Sequence, residues 1–121
     1  GALFVGTNPD TSFPIEQGQA PGNGAFVTAI QVTTKVKPII IGKPEPLLFK
    51  LASERLEVAS DEILAVGDRL ETDILGAQRA GMATALLLSG VTSPTDAAAS
   101  EIKPDWILDD LPALTHALEG A

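Results

Sequence analysis

The chain has 121 residues, 45% of them hydrophobic and 20% charged, with a formal net charge of −8. That length suits one domain or part of one, and that balance argues against disorder. Thirteen acids face four basic residues after position 50, against three acids and four lysines before it, a surface that disfavours nucleic acid and anionic membrane and leaves room for divalent cations.

There are no cysteines, so disulfides and thiolate metal sites are excluded, which fits a cytoplasmic protein. No apolar run approaches the roughly 20 residues that cross a bilayer. Residues 1–10 lack the basic start of a signal peptide. In chain order, residues 2–6 (ALFVG) read as a short buried strand that runs into Thr7-Asn8-Pro9-Asp10. Residues 10–23 are rich in turn formers and read as a loop. Asn23 can cap a helix through about Lys35, with Ala25, Phe26, Ala29 and Ile30 on its inner face. Residues 38–42 (PIIIG) are apolar throughout, as in a strand covered on both faces. Residues 45–57 suit a helix with Pro46 in its first turn and a stripe of Leu47, Leu48, Leu51 and Ala52. A connection through Ser60-Asp61-Glu62 leads to a strand at 63–66, then a helix over 70–80 stopped by Gly81. Residues 84–89 form another apolar strand, 106–108 a last one, and 111–118 a closing helix. Apolar strands alternating with helices predict an α/β fold, with a parallel sheet covered by helices on both faces.

Three strand ends carry polar chemistry. The first is Gly67-Asp68-Arg69-Leu70-Glu71-Thr72-Asp73, where an apolar strand ends and a second acid follows as a helix begins. Ligands in doubly wound folds bind outside the carboxyl ends of strands. Asp68 there suits a direct Mg²⁺ ligand, and Asp73 suits a group that holds a ligand water or orients Asp68 or Lys43. The plainer alternative is that Asp68 caps the helix and Asp73 favours its dipole. The second is Gly42-Lys43-Pro44, which puts a point charge for phosphate at the same edge; alone, Lys43 could equally be an exposed loop lysine. The third is Thr7-Asn8-Pro9-Asp10, where Asn8 and Asp10 could meet a ligand or simply form an Asx turn. Phe13 lies in the expected loop and is either packed or substrate-facing. His116, the only histidine, reads as a surface or packing residue, and Trp106 as core.

These pieces resemble the haloacid dehalogenase (HAD) superfamily of phosphatases. The closer likeness is to the branch with a large α/β cap that includes NagD-type, 4-nitrophenylphosphate, phosphoglycolate and pyridoxal phosphate phosphatases. The matching segments are LFVGTNPDTSFP, PGNGAFVTAI, IIIGKPEPLLF, ILAVGDRLETDILGAQRAGM and TALLLSGVTS, in that order over residues 3–93. The resemblance implies a partial three-layer Rossmann-like core, with residues 1–20 as the returning edge of the cap and a linker, and residues 21–121 as the C-terminal half of the core. It implies that Lys43 steadies the nucleophile and the transferring phosphoryl group. Asp68 is implied to help bind Mg²⁺ and Asp73 to support that metal site from behind. Asn8, Asp10 and Phe13 are implied as substrate contacts on the cap side.

The likeness also has a gap. The family's Asp-x-Asp motif, in which the first Asp forms an aspartyl phosphate, occurs nowhere in the chain. The resemblance therefore implies a fragment lacking the N-terminal core strands and most of the cap, inactive alone, whose parent hydrolyses small phosphomonoesters. Its open strand edges would pair with the missing N-terminal half or with a second copy as a homodimer. The competing expectations are a non-catalytic scaffold or partner-binding module and, less well matched, a nucleotide-binding domain.

Overall fold

The computed structural model describes residues 1–120; Ala121, the last residue of the expected core half, lies outside the described residues. The elements in order are β1 (Val5–Gly6), β2 (Ser12–Ile15), β3 (Gly18–Pro21), α1 (Asn23–Thr34), β4 (Ile39–Ile40) and α2 (Leu47–Leu56). A single 3₁₀ turn, Ser60–Glu62, precedes β5 (Leu64–Gly67). A π-wound turn, Leu70–Ile74, then runs into α3 (Leu75–Arg79), followed by β6 (Ala83–Leu87), α4 (Pro94–Ala99), β7 (Trp106–Leu108) and α5 (Leu111–Glu119).

The strands form two separate parallel sheets and one hairpin. β1 pairs with β4, and β5-β6-β7 form the other parallel sheet. β4 and β5 do not pair, so each presents a free edge. β6 lies between two strands, and Thr84 to Leu87 are all buried. This is the environment that a wholly apolar run requires. One core cluster joins Leu70, Ile74, Leu86 and Ala97. A second joins Ala77, Ala80 and Met82, with Phe49, Ile63 and Ala65 packed against it.

Several expectations from sequence need correction. The segment expected as a loop over 10–23 contains the antiparallel β2–β3 hairpin, turning at Glu16-Gln17 with Gly18 at a φ of 133°. Asn23 does not cap α1: Gly22 holds the cap position without a side-chain bond, and Asn23 Nδ2 donates instead to the Asn8 carbonyl at 2.8 Å. The buried face of α1 is Gly24 and Val27, while Phe26 and Ile30 are exposed. Val27 wins because it packs on Gly6 of β1, whose missing Cβ leaves it room. In α2 the stripe Leu47, Leu48 and Leu51 is exposed, and Phe49 carries the packing instead. Trp106 is half exposed, not core; it lines an apolar cleft with Leu64, Ala85, Leu108, Leu114 and Leu118. The helix α4 was not anticipated. Its start was readable nonetheless: Ser93 caps it through Asp96 N and Pro94 fills the first turn.

Asp105 ties β6 to the segment before β7. Its Oδ2 accepts from Thr84 N and Thr84 Oγ1, both at 2.8 Å. The Thr84 hydroxyl and then its amide hold the Asp105 carboxyl below its ordinary value. A lowered carboxyl stabilises the fold above its unfolded pKa of about 4, and that contribution disappears as pH falls through the folded value. Asp105→Asn is therefore expected to lower stability at pH 7. The gap to the native chain should narrow as pH falls below about 4 in urea unfolding followed by circular dichroism.

Candidate functional site

Strand ends from both parallel sheets meet at one cleft, and each delivers a polar group there. β1 ends at Gly6 and leads into Thr7, Asn8 and Asp10. β4 is followed by Gly42 and Lys43, and β5 ends at Gly67 with Asp68 next. These groups line one open cleft of about 420 Å³, together with Arg69, Thr72 and Asp73. The strand-end reading of the sequence thus brings Lys43, Asp68 and Asp73 together.

Asp73 is the hub of this arrangement. Its Oδ1 accepts from Lys43 Nζ at 2.5 Å. Its Oδ2 accepts from the amides of Asp68 at 3.3 Å and Arg69 at 3.1 Å. Those amides converge because the turn that opens at Leu70 is π-wound, with Asp73 N and Ile74 N both donating to the Arg69 carbonyl. Neither oxygen of Asp73 is left unengaged. The Asp73 side chain is 14% exposed and that of Lys43 49%, so the pair sits at the cleft wall with its cation toward water.

Asp68 is held differently. Its Oδ2 accepts from Val91 N at 2.9 Å, and its carbonyl accepts from Thr92 N at 3.0 Å. The loop after β6 is thereby clipped to the end of β5. Among the described residues, Asp68 Oδ1 accepts no hydrogen bond, which leaves one carboxylate oxygen at the cleft. Two glycines make these approaches close. A Cβ on Gly67 would run into the Asp73 side chain, and one on Gly90 into the Asp68 carboxylate. No group of three acids or histidines suited to hold a metal occurs among the described residues. The donor set is one carboxylate oxygen with room for water and phosphate, which fits Mg²⁺.

The three cap-side residues divide. Asn8 and Asp10 line the cleft with Lys43 and Asp68. Asn8 also closes an Asx turn, its Oδ1 accepting from Asp10 N at 3.1 Å. Phe13 lines a neighbouring cleft of about 480 Å³ along the hairpin, with Asn8, Asp10, Asn23 and Arg69. His116 is exposed on α5 and far in sequence from the cleft residues. Arg69 and Thr72 were missed from sequence. Arg69 could have been found by its place beside Asp68 at a strand end; Thr72 carries no local signal.

Comparison with known proteins bears on this edge. Residues 40–114 match the model of the HAD-hydrolase-like family. The acid sugar phosphatase of Staphylococcus aureus is 40% identical over 119 residues, 98% of this chain and 46% of the relative. Among solved structures, a 4-nitrophenylphosphatase from Thermotoga maritima superposes with a TM-score of 0.89 at 37% identity, over 98% of this chain and 46% of that one. A glycerol phosphate phosphatase from Mycobacterium tuberculosis in complex with magnesium superposes with a TM-score of 0.84 at 43% identity, over 94% and 35%. The chain therefore spans about half the length of the relatives it matches.

Proposed function

We infer the function from one premise: the chain belongs to the HAD-hydrolase-like family. We propose that its parent is a Mg²⁺-dependent phosphatase of small phosphomonoesters, and that this chain is the C-terminal half of it. The observation that carries the proposal is the Lys43–Asp73 pair beside a free Asp68 oxygen in one cleft.

On this reading each residue has a task set by its bonds. Lys43, fixed by Asp73, offers a positive charge to the phosphoryl group and to the carboxylate that attacks it. Asp73 keeps Lys43 in place and, through two amides, fixes the path of the chain at Asp68. Asp68 Oδ1 would hold Mg²⁺, which when bound offsets charge on the phosphoryl oxygens. Asn8 and Asp10 would face the substrate near the transferred group, and Phe13 would face its remaining part along the hairpin. We assign residues 1–20 to the returning edge of the cap, and the nucleophile to a carboxylate outside these 121 residues.

The free edges of β4 and β5 and exposed side chains such as Ile39 and Val66 support the same division. They are surfaces for the rest of the parent chain or, failing that, for a second copy. A cytoplasmic setting suits a chain without cysteine, and no helix among the described residues is long and apolar enough to cross a membrane.

Asp68→Asn in the full-length protein tests the metal assignment. It keeps an acceptor for Val91 N but removes the charge. The Mg²⁺ concentration for half-maximal hydrolysis of 4-nitrophenyl phosphate is expected to rise by at least about 10–100-fold, the range for losing a group that only supports a metal ligand, since here the ligand itself loses its charge. An unaltered Mg²⁺ dependence would remove Asp68 from the metal site.

A further inference from the structure

We propose that Arg69 recognises a second oxyanion, a carboxylate or a second phosphate, on the part of a phosphomonoester that is not transferred. The inference rests on Lys43 marking the phosphoryl position. Arg69 lines both clefts, the one holding Lys43 and Asp68 and the one running along the hairpin to Phe13. It therefore stands where a substrate would pass from its phosphoryl end to its remaining part. The two cations of the site differ in their engagement. Lys43 is tied to Asp73. The Arg69 guanidinium makes no hydrogen bond or ion pair among the described residues, although Asp10 and Asp68 line the same cleft. Only its backbone is used, the amide donating to Asp73 Oδ2. An exposed guanidinium with no internal partner is a planar fork of donors that fits an oxyanion bidentately. A purely structural arginine would be expected to hold one of those neighbouring carboxylates.

The test compares three ligands on the full-length protein by ¹⁵N–¹H NMR titration without added Mg²⁺, so that the esters bind without being turned over. Glycerol 3-phosphate is the reference, 3-phosphoglycerate replaces its hydroxymethyl group with a carboxylate, and glycerol 1,3-bisphosphate adds a second phosphate. At least one of the last two is expected to bind about fivefold or more tightly than the reference and to shift the Arg69 Nε–Hε resonance, as a charge-assisted contact requires. Which one does so identifies the oxyanion. Arg69→Ala should bring that ratio to about one, and Arg69→Lys should retain part of it. A ratio near one in the native chain, or a ratio preserved in Arg69→Ala, overturns the proposal. Lys43→Ala separates it from the underlying reading: weakened binding of all three esters upholds Lys43 as the phosphate clamp. Unaltered binding of all three removes that clamp, and with it the direction of the substrate on which the Arg69 assignment depends.

Discussion

Lys43→Ala in the full-length protein is expected to lower kcat for a phosphomonoester by about 10²–10³-fold, the cost of removing one preorganised group that stabilises developing charge. The same substitution should hardly affect folding. The Lys43 side chain is half exposed, and exposed ion pairs contribute about 0–1 kcal/mol. Asp73 would keep its two backbone amide partners, so the turn at Leu70 stays closed. A large loss of kcat with a stability change below about 1 kcal/mol is what an electrostatic role requires. Lys43→Arg should recover little, because a guanidinium is broader than an ammonium and does not substitute for it as a point charge. Equal losses of stability and activity would make Lys43 a structural residue.

How far the sequence could be read depends on how local each signal was. Lys43 and Asp68 were legible because each follows an apolar run and a glycine, a pattern that places a side chain at the carboxyl edge of a parallel strand; Asp73 was legible as a second acid at the start of the helix that follows Asp68. The clip between Asp68 and Val91 was not legible, since it joins residues 23 apart through a backbone amide. The hairpin at Ser12–Pro21 was hidden by its composition: Pro14, Pro21 and Gly18 are turn formers, and its residues do not alternate between apolar and polar. α1 failed in a different way. It carries apolar residues on two sides, Val27 on one and Phe26 with Ile30 on the other, and periodicity alone does not say which side meets β1. The same holds for α2, where Phe49 turns inward and the leucine stripe outward. Phe26 and Ile30 of α1 and Leu47, Leu48 and Leu51 of α2 remain exposed.

The largest effect of all is expected from dividing the protein. Phosphoryl transfer through a covalent intermediate needs a nucleophile, a metal and a cationic clamp in one place. On the proposed reading this chain brings the clamp, Lys43, and one metal-binding oxygen, on Asp68, to a cleft at the ends of β4 and β5, which do not pair with each other. A single carboxylate holds Mg²⁺ weakly, because the ion gives up water reluctantly. Hydrolysis of 4-nitrophenyl phosphate by the purified chain, alone and mixed with the remaining segment of its parent, therefore shows whether the site is divided between the two segments. The chain alone should not exceed the buffer rate, the mixture should recover activity, and a mixture made with the Lys43→Ala chain should not. Hydrolysis by the chain alone at the full-length rate, abolished by Lys43→Ala, would show that these 121 residues hold a complete active site and contradict the account.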